Sequence, residues 1–163
     1  YVINSFSKFF SMTGWRVGWM VVPQNHIRVV ERLAQNLFIC SPHVSQIAAL
    51  EAMSCEEELS QNLNIYSKNR QIIMEGLQHV GLESFAPPDG AFYFYIDISK
   101  YSDDSLSFCN DILQEVGVAI TPGVDFDPAR GKKTIRISYA RSTEEITEGI
   151  NKLGYFMKKR GYF

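Results

Sequence analysis

The spacing of apolar and polar positions changes several times along the chain, and each change marks a boundary between elements. Residues 1–4 are short, apolar and β-prone, and read as the end of a strand. A polar turn, Ser5-Phe6-Ser7-Lys8, follows, then a segment carrying Gly14 and Gly18. Trp19-Met20-Val21-Val22 is an unbroken apolar run stopped by Pro23, the pattern of a buried strand. From Pro23 the period becomes helical: Ile27, Val30, Leu33, Ala34 and Leu37 recur on one face. Cys40-Ser41-Pro42 interrupts it. Ser41 as N-cap and Pro42 in the first turn then suit a second helix over residues 44–53. Ser54 is expected to cap a third helix, with Glu56, Glu57 and Glu58 in a first turn where the helix dipole favours negative charge. Its apolar face continues through Leu63, Tyr66, Ile73 and Leu77 to about His79. That makes roughly 25 residues, or close to 40 Å, enough to bridge two lobes.

Beyond Gly81 the period shortens. Pro87-Pro88-Asp89-Gly90 is a turn cluster, and residues 91–98 alternate aromatic and β-branched side chains, as a strand does. A helix is expected over residues 105–116, a short strand over 118–121, a turn at Pro122-Gly123 and a strand over 133–140. A last amphipathic helix is expected over 143–159, capped at Ser142 or Thr143 with Glu144 and Glu145 behind the cap. Strands alternating with helices give an α/β fold.

Composition narrows the function classes. Hydrophobic residues make up 45% and charged residues 21% of the 163, the balance of an ordinary globular chain. The formal net charge of −2 offers no electrostatic case for nucleic acid as a partner. The basic tail Lys158-Lys159-Arg160 sits where a helix C-terminus favours cations. No apolar run approaches the ~20 residues that span a bilayer, so no membrane partner is expected. The three cysteines, Cys40, Cys55 and Cys109, have neither C-x-x-C spacing nor a histidine at metal-ligand distance. They read as reduced thiols in a cytoplasmic protein, and no metal site is expected. His26, His43 and His79 are isolated and read as surface or cap residues.

Candidate chemistry concentrates in residues 5–18. Lys8 stands between hydroxyls at the end of a strand, with Arg16 and two glycines further on. A lysine held against apolar walls near another cation has a lowered pKa, and its neutral amine can attack a carbonyl. An arginine with several hydroxyls is what a phosphate dianion requires, a fixed fork of donors with supplementary O–H groups. Gly14 would let the backbone approach a ligand closely. A surface lysine and a structural arginine in a glycine-rich turn would have the same local sequence.

The pattern S-x-S-K-x-x-x-x-x-G-x-R-x-G resembles the pyridoxal-phosphate attachment segment of the class I and II aminotransferases, of the fold type I superfamily. Three later segments agree in order. Pro88-Asp89-Gly90-Ala91-Phe92-Tyr93 resembles the family's P-x-G-A-F-Y strand. Gly117-Val118-Ala119-Ile120-Thr121-Pro122-Gly123 with Phe126 resembles its G-V-x-x-x-P-G-x-x-F turn. Ile135-Arg136-Ile137-Ser138-Tyr139-Ala140 resembles its R-[IL]-S-[FY]-A strand. The resemblance implies that Lys8 carries the cofactor pyridoxal 5'-phosphate covalently and, once freed, moves the substrate proton as general base and then acid. It implies that Ser5, Ser7 and Arg16 hold the cofactor phosphate and that Arg136 binds the substrate α-carboxylate through a bidentate pair. Arg136 stands in an otherwise apolar strand, where a charge is costly without a partner; a salt bridge to an acidic residue is the structural alternative. Phe92 and Tyr93 are expected near the site or in the core.

The implied fold is the C-terminal part of a fold type I transferase: the end of the large cofactor domain over residues 1–75, and the small α/β domain over 76–163. The implied function is transfer of an amino group from an L-amino acid to a 2-oxo acid, in a full-length protein that is a cytoplasmic homodimer. The chain does not open on methionine and reads as about two-fifths of such a protein, without the family's upstream cofactor contacts. By itself it is expected to bind the cofactor poorly, to be inactive and to self-associate. Residues 33–42 contain no arginine for a second substrate carboxylate, so the resemblance does not select dicarboxylates. Two other readings share these motifs: a cofactor-dependent lyase or synthase of the same fold, and an aminotransferase-like sensor domain of a transcription regulator.

Overall fold

In the computed structural model, which describes residues 1–162, the chain forms two compact units that divide between Asn62 and Leu63. The first opens with a hairpin. Strand β1 (Val2–Ser5) pairs antiparallel with β2 (Gly18–Val21), Val2 opposite Val21 and Ser5 opposite Gly18. A Cβ at Gly18 would lie 2.6 Å from the Asn4 carbonyl oxygen, so the strands close on each other only because this position is glycine. Helices α1 (Ile27–Leu37) and α2 (His43–Ala52) follow, and α3 (Glu56–His79) begins in this unit.

The core of this unit comes from the loop between the strands. Phe6, Met12 and Val17 are buried with Ala49 of α2, and Phe10, Trp19, Ala48 and Ala52 pack against them. The Phe6 ring lies 4.6 Å from Phe10 and 4.9 Å from Trp19, centroid to centroid. The buried strand expected at residues 19–22 is therefore corrected: Met20 and Val21 are exposed and Trp19 half-buried. Among the described residues β1 and β2 make a sheet of two, without the layers on both faces that an apolar strand needs. The same holds for α1, which has the expected period but no buried residue.

Two caps also move. Pro42, extended at φ −54° and ψ 133°, holds the N-cap position of α2, leaving Ser41 one residue outside and no side chain capping the helix. The Leu59 N–H donates to the Cys55 carbonyl at 3.1 Å, so Cys55 rather than Ser54 opens α3. Glu56, Glu57 and Glu58 occupy its first turn.

The second unit contains the remainder of α3, then β3 (Tyr93–Asp97), α4 (Ser105–Val116), β4 (Thr121–Pro122), β5 (Thr134–Ser138) and α5 (Thr143–Lys159). The sheet order is β3-β5-β4, antiparallel throughout. The strand expected over 118–121 shrinks to Thr121–Pro122. Pro122 has no N–H for a ladder and suits only a sheet edge, while Val118 and Ile120 pack onto the core instead. Both helices keep their expected bounds and have sequence-encoded caps. Asp104 accepts from the Leu106 and Ser107 N–H groups, and Ser142 with Glu145 closes a capping box.

Phe94, Ile96 and Ile135 of the sheet join Ile73 and Leu77 of α3, Ile112 of α4 and Leu153 and Phe156 of α5 in one core. A buried polar residue joins two elements across it. Asn69 of α3 donates Nδ2–H to the Tyr139 carbonyl at 3.1 Å and to the Arg141 carbonyl at 2.7 Å. Its Oδ1 accepts from the Thr143 hydroxyl at 2.9 Å, so the turn between β5 and α5 is held against α3. The basic tail is engaged as well: Lys159 lies 2.8 Å from Glu115, and Arg160 contacts Glu115 and Asp111.

All three cysteines are free; Cys40 is exposed and Cys109 buried. Burial, with Asp125 nearby, pushes the Cys109 thiol up to about 12. No helix among the described residues is long and apolar enough to cross a membrane.

Candidate active site

Ser5 ends β1, and Ser7 and Lys8 follow after the buried Phe6. The Ser5 hydroxyl donates to the Ser7 hydroxyl at 2.9 Å and accepts from the Ser7 N–H at 3.0 Å, a local turn typical of serine. The Ser11 N–H donates to the Lys8 carbonyl at 2.9 Å, and the Met12 N–H to the Phe6 carbonyl at 3.2 Å, which curls the loop over its own aromatic cluster. Lys8 itself is exposed. The apolar wall expected around it is corrected: the Phe6 ring packs at a tilt against Phe10 and against Trp19, and the lysine lies at the surface of this unit.

Arg16 returns the loop to β2. Its backbone is left-handed at φ 54°, as is Ser11 at φ 55°. Both are uncommon for residues with a Cβ and need surrounding structure to hold them. At Gly14 a Cβ would meet nothing within 4 Å, so the space over its backbone is open. Arg16 Nη1–H donates to the Thr13 carbonyl at 3.1 Å, and the Thr13 hydroxyl donates to the Ser7 carbonyl at 2.6 Å. Thr13, which the sequence reading passed over, thus links the serine–lysine arm to the arginine arm.

Arg136 lies on the sheet of the second unit, in its central strand, opposite Tyr95 on one side and Thr121 on the other. Side chains alternate along a strand, so Arg136 shares a face with Tyr93, Tyr95 and Thr134, while Ile135 points into the core. The guanidinium sits 4.3 Å from the Phe126 ring centroid and 5.2 Å from that of Tyr93. Stacking of this kind stabilises a cation by about 0.5–2 kcal/mol each and leaves its in-plane N–H donors free to bond. Among the described residues no carboxylate pairs with Arg136, so the salt bridge considered as its structural role is absent.

The turn that carries Phe126 is built by close packing. A Cβ on Gly123 would lie 2.0 Å from the Thr134 hydroxyl, and one on Gly131 would lie 2.5 Å from Gly123. Two glycines meeting there fold residues 123–131 back toward the edge of the sheet, and Ser105 locks them by donating to the Gly131 carbonyl at 2.7 Å. Phe92 belongs to the rim of the core rather than to this face. The same face continues into a groove of about 1290 Å³ lined by Pro88, Tyr93, Tyr95, Lys133 and Thr134. Arg70 of α3 holds the near wall by donating to the Pro88 carbonyl at 2.7 Å.

The family description "Aminotransferase class I and II" matches residues 1–153. The chain belongs to the class I and II aminotransferase family. A valine–pyruvate aminotransferase of Mycobacterium tuberculosis is 46% identical over 158 residues, which cover 96% of this chain and 41% of that protein. A solved structure of a candidate aminotransferase from Silicibacter pomeroyi is 59% identical with a TM-score of 0.95, covering 98% of this chain and 43% of the other. A solved aminotransferase from Mycobacterium tuberculosis superposes with a TM-score of 0.93 at 46% identity, covering 97% and 41%. The α/β fold expected for part of a fold type I aminotransferase is therefore found. The chain spans about two-fifths of the length of these relatives.

Proposed function

We propose that this aminotransferase-family chain is the C-terminal portion of an enzyme that moves an amino group from an L-amino acid to a 2-oxo acid with pyridoxal 5'-phosphate as cofactor. On this reading residues 1–75 close the large cofactor domain, residues 76–163 form the small domain, and the full-length protein is a cytoplasmic homodimer. The observation that carries the proposal is the bonded path Ser7–Thr13–Arg16, which puts two hydroxyls, a primary amine and a guanidinium on one short loop.

Those groups suit the cofactor. Its phosphate needs fixed donors. The Ser5 and Ser7 hydroxyls supply two, and Arg16, which spends one N–H on Thr13, keeps four of a guanidinium's five. Lys8 supplies the amine for its aldehyde and would then hold and return the substrate Cα proton. When bound, the cofactor supplies the electron sink that makes that proton acidic. Arg136, its faces covered by Phe126 and Tyr93, would take the α-carboxylate edge-on and orient the Cα–H bond. The relative named valine–pyruvate aminotransferase makes an apolar amino donor with pyruvate the first pair to try, in keeping with the lack of arginine in residues 33–42.

The test is a spectral titration of the full-length parent with pyridoxal phosphate, then addition of amino acid alone. Lys8→Ala is expected to abolish the absorbance of lysine-bound cofactor, and Arg136→Leu to raise the amino-acid KM by about a hundredfold, the scale of a lost charge-assisted pair. Release of ammonia in place of an aminated cofactor would mark a lyase and overturn the proposal. This chain alone is expected to bind the cofactor far more weakly than its parent.

A further inference from the structure

We infer that Thr13 is a positioning residue that sets the phosphate-holding arms of the loop in register, an inference that rests on the cofactor site proposed above. The loop from Phe6 to Val17 has two functional ends. Ser5, Ser7 and Lys8 leave β1, and Arg16 enters β2. Both ends need a fixed separation if hydroxyls and guanidinium are to grip one phosphate, because bidentate and multidentate donors lose their advantage when they are free to drift.

The backbone supplies part of that separation through the Phe6 N–H, which donates to the Val17 carbonyl at 3.2 Å. That contact fixes the base of the loop, and the Ser11 and Met12 N–H groups, which donate to the Lys8 and Phe6 carbonyls, set its course above the base. Thr13 adds a link that joins Ser7 directly to the Arg16 side chain. The Thr13 hydroxyl donates to the Ser7 carbonyl at 2.6 Å, one residue before Lys8, and the Thr13 carbonyl accepts from Arg16 Nη1–H at 3.1 Å. The two bonds act in series: moving Thr13 moves the guanidinium anchor relative to the serine–lysine arm. Thr13 opens the 3-10 turn that leads directly into left-handed Arg16, so its placement also helps to hold that strained backbone.

The hydroxyl is spoken for by the Ser7 carbonyl and the side chain is exposed, so its removal perturbs geometry more than stability. Valine keeps the β-branched shape and deletes the donor; serine keeps the donor and deletes the methyl group. In the full-length parent, Thr13→Val is expected to weaken pyridoxal phosphate binding by about tenfold, the scale of one lost hydrogen bond. Binding of pyridoxal, which lacks the phosphate, should be unchanged, and Thr13→Ser should restore wild-type affinity. Affinities come from the absorbance of lysine-bound cofactor, with circular dichroism to check that each variant is folded.

Equal affinity of Thr13→Val and wild type for pyridoxal phosphate would overturn the inference. So would an equal loss for both ligands, which would mean the hydroxyl serves the loop as a whole and not its phosphate arm. Two controls separate this result from the reading beneath it. If Lys8→Ala and Arg16→Ala both lose the cofactor while Thr13→Val does not, only the role of Thr13 fails. If neither control loses it, the cofactor site itself is wrong and the inference falls with it.

Discussion

The two units bury their apolar residues very differently. The second packs one sheet face and three helices around Phe94, Ile96, Ile112, Ile135, Leu153 and Phe156, each shielded from water. The first buries Phe6, Met12, Val17 and Ala49, and leaves Ile3, Val21, Leu33, Leu37, Val44, Ile47 and Leu50 exposed. Its core lies under the Lys8 loop, so the loop that presents the candidate cofactor groups is also the main source of that unit's packing. The second unit separates the two tasks: the core lies on one face of the sheet and Arg136 on the other. Within this chain, which spans about two-fifths of its relatives' length, packing and candidate chemistry share one loop in the first unit and lie on opposite faces of the sheet in the second.

The largest expected effect divides the units cleanly. Phe94→Ala should cost about 3–5 kcal/mol and lower hydrogen-exchange protection across β3 and β5. Phe6→Ala should change protection only within the first unit, around β1, β2, their loop and α2. Loss of β5 protection in Phe6→Ala would erase the distinction drawn above.

Next comes Asn69→Ala, which strands two backbone carbonyls and a hydroxyl and should cost about 2 kcal/mol in thermal unfolding. A neutral result would mean that water replaces the side chain and that the β5–α5 turn does not depend on α3. Ser142→Ala removes the α5 capping box and should cost about 1 kcal/mol in denaturant titration, with the β1–β2 hairpin unaffected.

At neutral pH the thiols leave stability untouched, and their effect is confined to alkaline pH. Burial holds the Cys109 proton up to about 12. Below the unfolded thiol's own pKa both states keep the proton and the full stability is present. As pH rises from there, the unfolded chain ionises first, so stability of the second unit should fall toward pH 12. At neutral pH an alkylating reagent should modify exposed Cys40 of the first unit rapidly and Cys109 only on unfolding. Fast labelling of Cys109 in folded protein would contradict a closed second core.

Local signals were legible wherever a few neighbouring residues decide the outcome. The bounds of α4 and α5 followed from helical period, and the cap of α5, expected at Ser142 or Thr143, is Ser142, whose hydrogen bonds reach only three residues. The motifs around Lys8, Pro88, Gly117 and Arg136 already named the family that the comparison finds. Burial was not legible: Trp19-Met20-Val21-Val22 has the composition of a covered strand, but cover is supplied by other layers, which a short apolar run cannot report.

Nor were the contacts that each candidate residue makes. That Lys8, Arg16 and Arg136 are present, and what chemistry each type can do, was set by the sequence alone. That Thr13 couples Ser7 to Arg16, that Phe126 rather than a carboxylate meets the Arg136 guanidinium, and that Asn69 pins a turn seventy residues away were decided only by tertiary structure. Each depends on distances of a few ångströms between atoms far apart along the chain, and residue type and spacing carry no information about such distances until the chain has closed on itself.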